Sequence, residues 1–281
     1  MKKIITHTNP DLDAVTSVWL LKRFLPGWEE AEVEFVFASD SIKAQKEIDL
    51  DPEVLWVDVG RGQLDHHQTD AYLCATKLTF DFIKRKRKGQ PLGEIKQEAL
   101  KEIVKVVTQV DNARDLNWEE VNKSRYYFQL HTLIDGLRGL AESDEQALEF
   151  SLRALDAILW NLRSKIRAEK ELENGFEFQT PWGKAIAVES GDKHVLWVGE
   201  IQGFVLVIKK DPEKGGVRMY ARPDSEVDLT EAHRQFKKMD PESDWFLHAT
   251  KRMLLNDSTI NPNMRPTKLS LQQVIATLKK T

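Results

Sequence analysis

Three short runs rich in β-branched and aromatic residues constrain the first half of this chain, because helical patterns separate or follow them. Lys3–Thr6 is the first strand candidate, Glu32–Ala38 the second and Val54–Val57 the third. After the first, Val15, Val18, Trp19, Leu21 and Phe24 fall at helical spacing within Ala14–Phe24. Further helical patterns cover Lys77–Lys88 and Gly93–Val110. Strands alternating with helices predict a parallel sheet with helices on its faces. In such sheets the reactive groups gather beyond the carboxyl ends of the strands.

The second half reads differently. Ser143 and Gln146 have the spacing of a capping box. From there apolar residues recur every three or four positions, predicting one long helix that ends at Asn174-Gly175. Five β-like runs follow: Phe176–Thr180, Lys184–Val188, Val195–Val198, Phe204–Lys209 and Val217–Ala221. Helical patterns return at Leu229–Lys238 and Leu269–Lys279, with a strand candidate at Trp245–Ala249 between them. The expected fold class is α/β. A parallel-sheet domain over residues 1–125 leads through a helical connector, 126–174, to a smaller α/β or α+β domain, 175–281. The active site is expected in the cleft between the two domains.

Composition narrows the setting. With 281 residues, 41% of them hydrophobic, the chain can bury a sizeable core. A net charge of −4 excludes a strongly cationic nucleic-acid coat, though not a local basic patch. The single cysteine, Cys74, closes no intramolecular disulfide and builds no cysteine zinc site, which fits a reducing cytoplasm. Met1-Lys2-Lys3 is followed by no apolar signal core. No apolar run approaches about 20 residues, so no membrane span is expected.

Four clusters carry the candidate chemistry. His7, Asp11 and Asp13 crowd the turn between the first strand and the first helix, where Pro10 suits a helix start. Helix capping explains one of these carboxylates, but not an imidazole and two carboxylates together. Asp65-His66-His67 places two histidines beside an acid. One ring can ligate a metal while its neighbour meets a substrate, and Asp65 can orient a ring. Asp58 ends an apolar strand, and Asp111 ends a helical pattern. Oxygen and nitrogen donors without sulfur suit manganese, cobalt, magnesium or zinc. So many acids sharing one crevice need cations, and a two-metal site is the simplest answer.

In their order and spacing, these clusters resemble the DHH phosphoesterase superfamily. That superfamily includes manganese-dependent pyrophosphatases, single-strand exonucleases, short-oligonucleotide nucleases and cyclic-dinucleotide phosphodiesterases. Asp58-Val59-Gly60 through Leu64-Asp65-His66-His67-Gln68, with Tyr72-Leu73 after it, is most similar to the melanocyte-proliferating-gene exonuclease branch. The stretches Asp144–Phe150 and Leu247-His248-Ala249-Thr250 are similar to it too. Where that branch has a glycine pair after the latter stretch, this chain has Lys251-Arg252-Met253 and Asn256-Asp257.

The resemblance implies that His7 and Asp11 bind one metal, that Asp13, His66 and Asp111 bind a second, and that Asp58 bridges them. It implies that His67 contacts a phosphate oxygen and that Asp65 orients the histidines. Two divalent ions are expected, manganese first, with magnesium, cobalt or zinc as alternatives. The implied reaction is hydrolysis of phosphodiester bonds by a metal-held hydroxide, in short RNA, single-stranded nucleic acid or nucleotides. A pyrophosphatase or small phosphomonoesterase is one alternative, and a non-catalytic metal- or nucleotide-binding module is another. Oligomeric state stays open, a homodimer included.

The C-terminal domain is expected to supply cations for the substrate. From Phe176 onward, 16 Lys and Arg face 14 Asp and Glu, giving +2 against −6 for the rest. Arg218, Arg222, His248, Lys251 and Arg252 are the candidates, although each also suits an ordinary solvated surface. The run Lys84–Lys88 reads as a solvated helix end whose cations complement the helix dipole. Tyr126-Tyr127-Phe128 reads as core, with His131 on the same segment.

Overall fold

A computed structural model describes residues 1–43, 48–140 and 142–281. The chain divides into two compact units, Met1–Leu162 and Arg163–Thr281.

The first unit is built on three parallel strands among the described residues. They are β1 (Lys3–His7), β2 (Glu32–Val36) and β3 (Val54–Trp56), in the order β2-β1-β3. Helix α1 (Leu12–Phe24) links β1 to β2, and α2 (Ala38–Lys43) follows β2. Because β1 is central, its carboxyl end is where the chain switches from one side of the sheet to the other. Eleven of the thirteen residues of α1 are buried. This helix packs against β1 and also against α3 (Ala75–Lys86) and α4 (Glu94–Asp111). A helix covered on most of its circumference has little room for charge, and Asp13 is the one charged residue among those eleven. Helix α5 (Leu130–Gly139) and the start of α6 (Asp144–Leu172) complete the unit. The capping box at α6 forms as the sequence predicts, Gln146 N–H donating to Ser143 Oγ at 3.3 Å and Ser143 N–H to Gln146 Oε1 at 3.0 Å.

The boundary between the units falls inside α6. In the second unit, β4 (Phe176–Thr180), β5 (Gly183–Glu189), α7 (His194–Ile201), β6 (Leu206–Lys210), β7 (Val217–Ala221), α8 (Thr230–Met239), β8 (Phe246–Leu247), β9 (Met253–Leu255) and α9 (Leu271–Leu278) follow in order. Their sheet runs β4-β5-β6-β7-β9-β8. Alternation along β5 serves two cores: Ala185 and Ala187 face the one with α8 and α9, and Ile186 and Val188 the one with α6 and α7.

One strand expectation is overturned. Val195–Val198 lies in α7, because β5 and β6 pair in parallel and their connection must cross over the sheet. Asp192 accepts the His194 N–H at 2.9 Å at the start of this helix. A Cβ on Gly199 would lie 2.8 Å from Val207, so glycine lets α7 approach the sheet closely. Strand β9 is an element that the sequence reading does not contain. Among the described residues, no helix is long and apolar enough to cross a membrane.

Candidate metal centre

The turn after β1 is shaped by its backbone. Asn9 has φ +51°, a left-handed conformation that asparagine tolerates better than most residues. Its N–H donates to Asp144 Oδ1 at 3.0 Å, and its carbonyl accepts from Arg138 Nη1 at 3.1 Å. Asp11 caps α1, its Oδ1 accepting the Asp13 and Ala14 N–H groups at 2.9 and 3.0 Å. Asp13 reaches the neighbouring helix instead. Its Oδ2 and Oδ1 accept the Ala75 and Thr76 N–H groups, each at 2.7 Å, at the start of α3. Capping therefore occupies both carboxylates, on different helices. Both N–H groups capped by Asp11 go to Oδ1, and among the described residues Oδ2 accepts no hydrogen bond.

A second wall is the loop after β3. Asp58, 3% exposed, has φ +57°. Gly60 has φ +86°, and a Cβ there would stand 2.5 Å from Ile48 Cδ1, so only glycine fits. Arg61 follows at φ +61°. Asp65, 1% exposed, ties the loop together. Its Oδ2 accepts the Arg61 N–H at 2.6 Å, and its Oδ1 accepts the His67 N–H at 3.1 Å and His67 Nδ1–H at 2.7 Å.

The third wall is the end of α4. Ala113, at φ +55°, donates its N–H to the Val110 carbonyl, and Arg114 donates to the Gln109 carbonyl. This is the Schellman ending, with alanine where glycine is usual. It leaves Asp111 at the negative end of a helix dipole, where a carboxylate is disfavoured unless a cation accompanies it.

The three walls converge on His66. Its Nε2 lies 3.7 Å from Asp13 Oδ2, 3.5 Å from Asp58 Oδ1 and 3.6 Å from Asp111 Oδ2. None of these is a hydrogen bond; His66 Nε2 and Asp58 Oδ1 are buried without any hydrogen-bond partner among the described residues. Such atoms are costly unless something else satisfies them. Ions bonded at about 2.1 Å hold neighbouring donors roughly 3.0 to 3.4 Å apart, so the observed spacing is close to that of one coordination shell. On the other side of Asp58, its Oδ2 lies 3.4 Å from His7 Nε2. His7 Nδ1 donates to the Thr8 carbonyl at 2.9 Å, which leaves Nε2 of the neutral ring as a ligand. Three groups of donors lie close enough to share an ion: His7, Asp11 and Asp58; Asp13, His66 and Asp111; and Asp58, His66 and His67.

Electrostatics follow from this crowding. Burial opposes the charge of His7, but Asp58 and the Thr8 carbonyl outweigh it and raise the ring to about 9. The Asp58 carboxylate does the same for His66, also to about 9. Burial, and then the charge of Asp58, push Asp13 well above the carboxylate range. Burial raises Asp111 to about 6, with Asp58 adding to it. Asp58 itself is held below its ordinary value by His66 and His7 despite its burial. Without an ion the cluster retains protons that a cation would displace.

A cavity of about 450 Å³ opens on these groups. His7, Asp11, Asp58, His67 and Asp111 line it, together with Arg61. Sequence reasoning missed Arg61, because a lone arginine between glycines carries no periodic or motif signal.

Other candidates lie elsewhere. Asp115 accepts the Tyr126 hydroxyl, and His131 Nε2 lies 3.1 Å from that same oxygen, so His131 joins a tyrosine–aspartate network apart from the three donor groups. Tyr127 and Phe128 are 70% and 80% exposed, which corrects the core reading of that segment. Lys84 and Lys86 lie over the Phe80 and Phe82 rings at the far end of α3, as a solvated helix end does. In the second unit, Arg218 pairs with Asp257, Arg222 with Asp224, and Lys251 with Asp228. Arg252 Nε donates to the Ser225 carbonyl at 2.9 Å, and His248 Nδ1 is 2.9 Å from Thr250 Oγ1.

Fold and site together define an α/β protein with a histidine–aspartate centre able to hold divalent cations. A family model described as "ChrB, C-terminal domain" matches residues 4–162, more than half of the sequence, and the chain belongs to that family. The match ends at the last residue of the first compact unit. No curated protein matches the sequence. Among solved structures, the chain is similar to RecJ in complex with Mg²⁺ from Thermus thermophilus. Identity is 15% and the TM-score 0.30, over 99% of this chain and 49% of that one. It is also similar to PggH, a pGpG-specific phosphodiesterase from Vibrio cholerae. There identity is 12% and the TM-score 0.26, over 90% of this chain and 91% of that one. The chain thus spans about half the length of the RecJ chain it matches.

Proposed function

We propose that this chain is a divalent-metal-dependent phosphoesterase of the DHH type, nearest the melanocyte-proliferating-gene exonuclease branch. Its substrates would be phosphodiester bonds in short RNA, single-stranded nucleic acid or nucleotides. The observation that carries this reading is the approach of His66 Nε2 to Asp13, Asp58 and Asp111, with two buried donor atoms left without hydrogen-bond partners. His7 and Asp11 would hold one ion, Asp13, His66 and Asp111 a second, and Asp58 would serve both. Manganese suits this donor set, as do magnesium, cobalt and zinc. Divalent ions there would activate water and offset charge on the phosphoryl oxygens.

The chain's own groups have further roles in this reading. Asp65 holds the His67 ring through Nδ1–H, and Nε2–H of the imidazolium form would donate to a phosphate oxygen. The second unit would supply Arg218, Arg222, His248, Lys251 and Arg252 to the rest of the substrate. Its exposed pairs, such as Lys251 with Asp228, contribute little on their own and can yield to a phosphate.

The test is a substrate panel with Mn²⁺: pApA, a short oligoribonucleotide, single-stranded DNA, pyrophosphate and bis-p-nitrophenyl phosphate. Hydrolysis of the diesters supports the reading. Hydrolysis of pyrophosphate alone would move the substrate class. A protein that binds two ions and hydrolyses nothing would be a binding module.

A further inference from the structure

We propose that Arg61 binds a phosphate group of the substrate, as the arginine partner of His67 at the mouth of the metal centre. This rests on the phosphoesterase reading and adds a residue to it. Arg61 is the one Lys or Arg among the described residues that line the cavity, whose other charged walls are aspartates and histidines. Its guanidinium has no hydrogen-bond or ion-pair partner among the described residues, although four carboxylates line the same cavity. Of these, the buried Asp65 is unavailable to the guanidinium. Its carboxylate is already taken by the Arg61 backbone N–H and by the N–H and ring of His67. One side chain therefore sets the place of both Arg61 and His67.

The backbone adds an independent argument. Arg61 stands between Gly60 and Gly62 at φ +61°. A side chain in this conformation is strained relative to glycine. The Arg61 side chain is exposed and forms no hydrogen bond or ion pair with the described residues, so side-chain bonding does not offset that strain. What arginine supplies at this position is a planar fork of N–H donors, which matches two non-bridging oxygens of a phosphate. In a pocket whose acids would be neutralised by divalent ions, a free guanidinium faces an incoming anion rather than the ligands.

The experiment uses the full metal-loaded chain and inorganic phosphate as the probe. Titration calorimetry gives phosphate affinity for the wild type, Arg61→Gly and Arg61→Gln, beside metal content, melting temperature and steady-state kinetics on a diester from the panel. We expect both variants to keep wild-type metal content and to weaken phosphate binding at least tenfold. KM should rise by a similar factor, with a smaller change in kcat. Arg61→Gly should melt at the same temperature or higher, because glycine relaxes the backbone. Arg61→Gln keeps the strain and removes only the charge. Phosphate affinity in both variants within twofold of the wild type overturns the proposal and leaves the phosphoesterase reading standing. Loss of metal together with a lower melting temperature in Arg61→Gly also overturns it, because the residue is then structural. A wild-type chain that takes up metal yet binds no phosphate and cleaves no diester overturns both.

Discussion

Asp13 and Thr76 clasp each other across two helices. The Asp13 Oδ1 accepts the Thr76 N–H at 2.7 Å, and Thr76 Oγ1 donates back to the Asp13 carbonyl at 3.1 Å. A residue proposed as a metal ligand is thus also the cap of α3, so its loss has two separable effects. Asp13→Ala should destabilise the metal-free protein by about 2–4 kcal/mol, because buried N–H groups lose their acceptor. Urea unfolding in EDTA measures this. Unchanged metal-free stability would mean that the clasp contributes nothing to the fold.

Asp58 contributes to both sides of the centre, one oxygen toward His7 and the other toward His66. Asp58→Ala should cost at least about 100-fold in affinity for Mn²⁺, more than the loss of a ligand-orienting partner usually costs. Metal content after desalting checks it. Full retention of metal would show that Asp58 bridges nothing.

The raised histidines predict opposite pH trends for the metal-free and metal-loaded protein. His7 and His66 sit near 9 in the folded chain, against about 6.5 unfolded. Their contribution is full below about pH 6.5 and is lost as pH rises toward 9, because the native state holds the extra protons. Asp111, raised to about 6, acts in the same direction over a more acidic range. Asp58, whose value is lowered, acts the other way, but only at acid pH. Metal binding displaces the histidine protons, so affinity should rise across roughly pH 6 to 8.5 while metal-free stability falls. Melting curves with EDTA and with Mn²⁺ at half-unit steps test this. A metal-free melting temperature that climbs over the same range would contradict it.

Left-handed backbone surrounds the site at Asn9, Asp58, Arg61 and Ala113. Asn9→Gly should change stability by less than about 0.5 kcal/mol, whereas Asn9→Val should cost about 1–2 kcal/mol. Asp144→Ala, which removes the acceptor of the Asn9 N–H, should cost about 1 kcal/mol and weaken metal binding severalfold without abolishing it. Equal stability of the glycine and valine variants would show that φ at Asn9 is not a constraint.

Much of the first unit was legible because its signals are local. β-Branched runs at β1 and β3, the capping box at Ser143 and the clustered donors near His7 and His66 each fit within a few residues. Long-range pairings were not legible. The strand reading of Val195–Val198 failed because a short apolar run cannot distinguish a buried helix from a strand. Only the parallel pairing of β5 with β6 decides between them. Asp13 looked like a ligand or a local cap, and no nearby residue reveals that it caps a helix starting at Ala75. Exposure of Tyr127 and Phe128 was equally invisible, since aromatic residues predict core on average and these two lie on the surface.

Every donor of the three groups lies between His7 and Asp111, and the unit that contains them closes at Leu162. During synthesis, the complete donor set therefore exists while the whole second unit is still to be translated. At about 10 residues per second, translating the second unit, Arg163–Thr281, takes the ribosome roughly ten seconds more. The order of residues along the polypeptide thus leaves an interval in which ion capture can precede synthesis of the second unit.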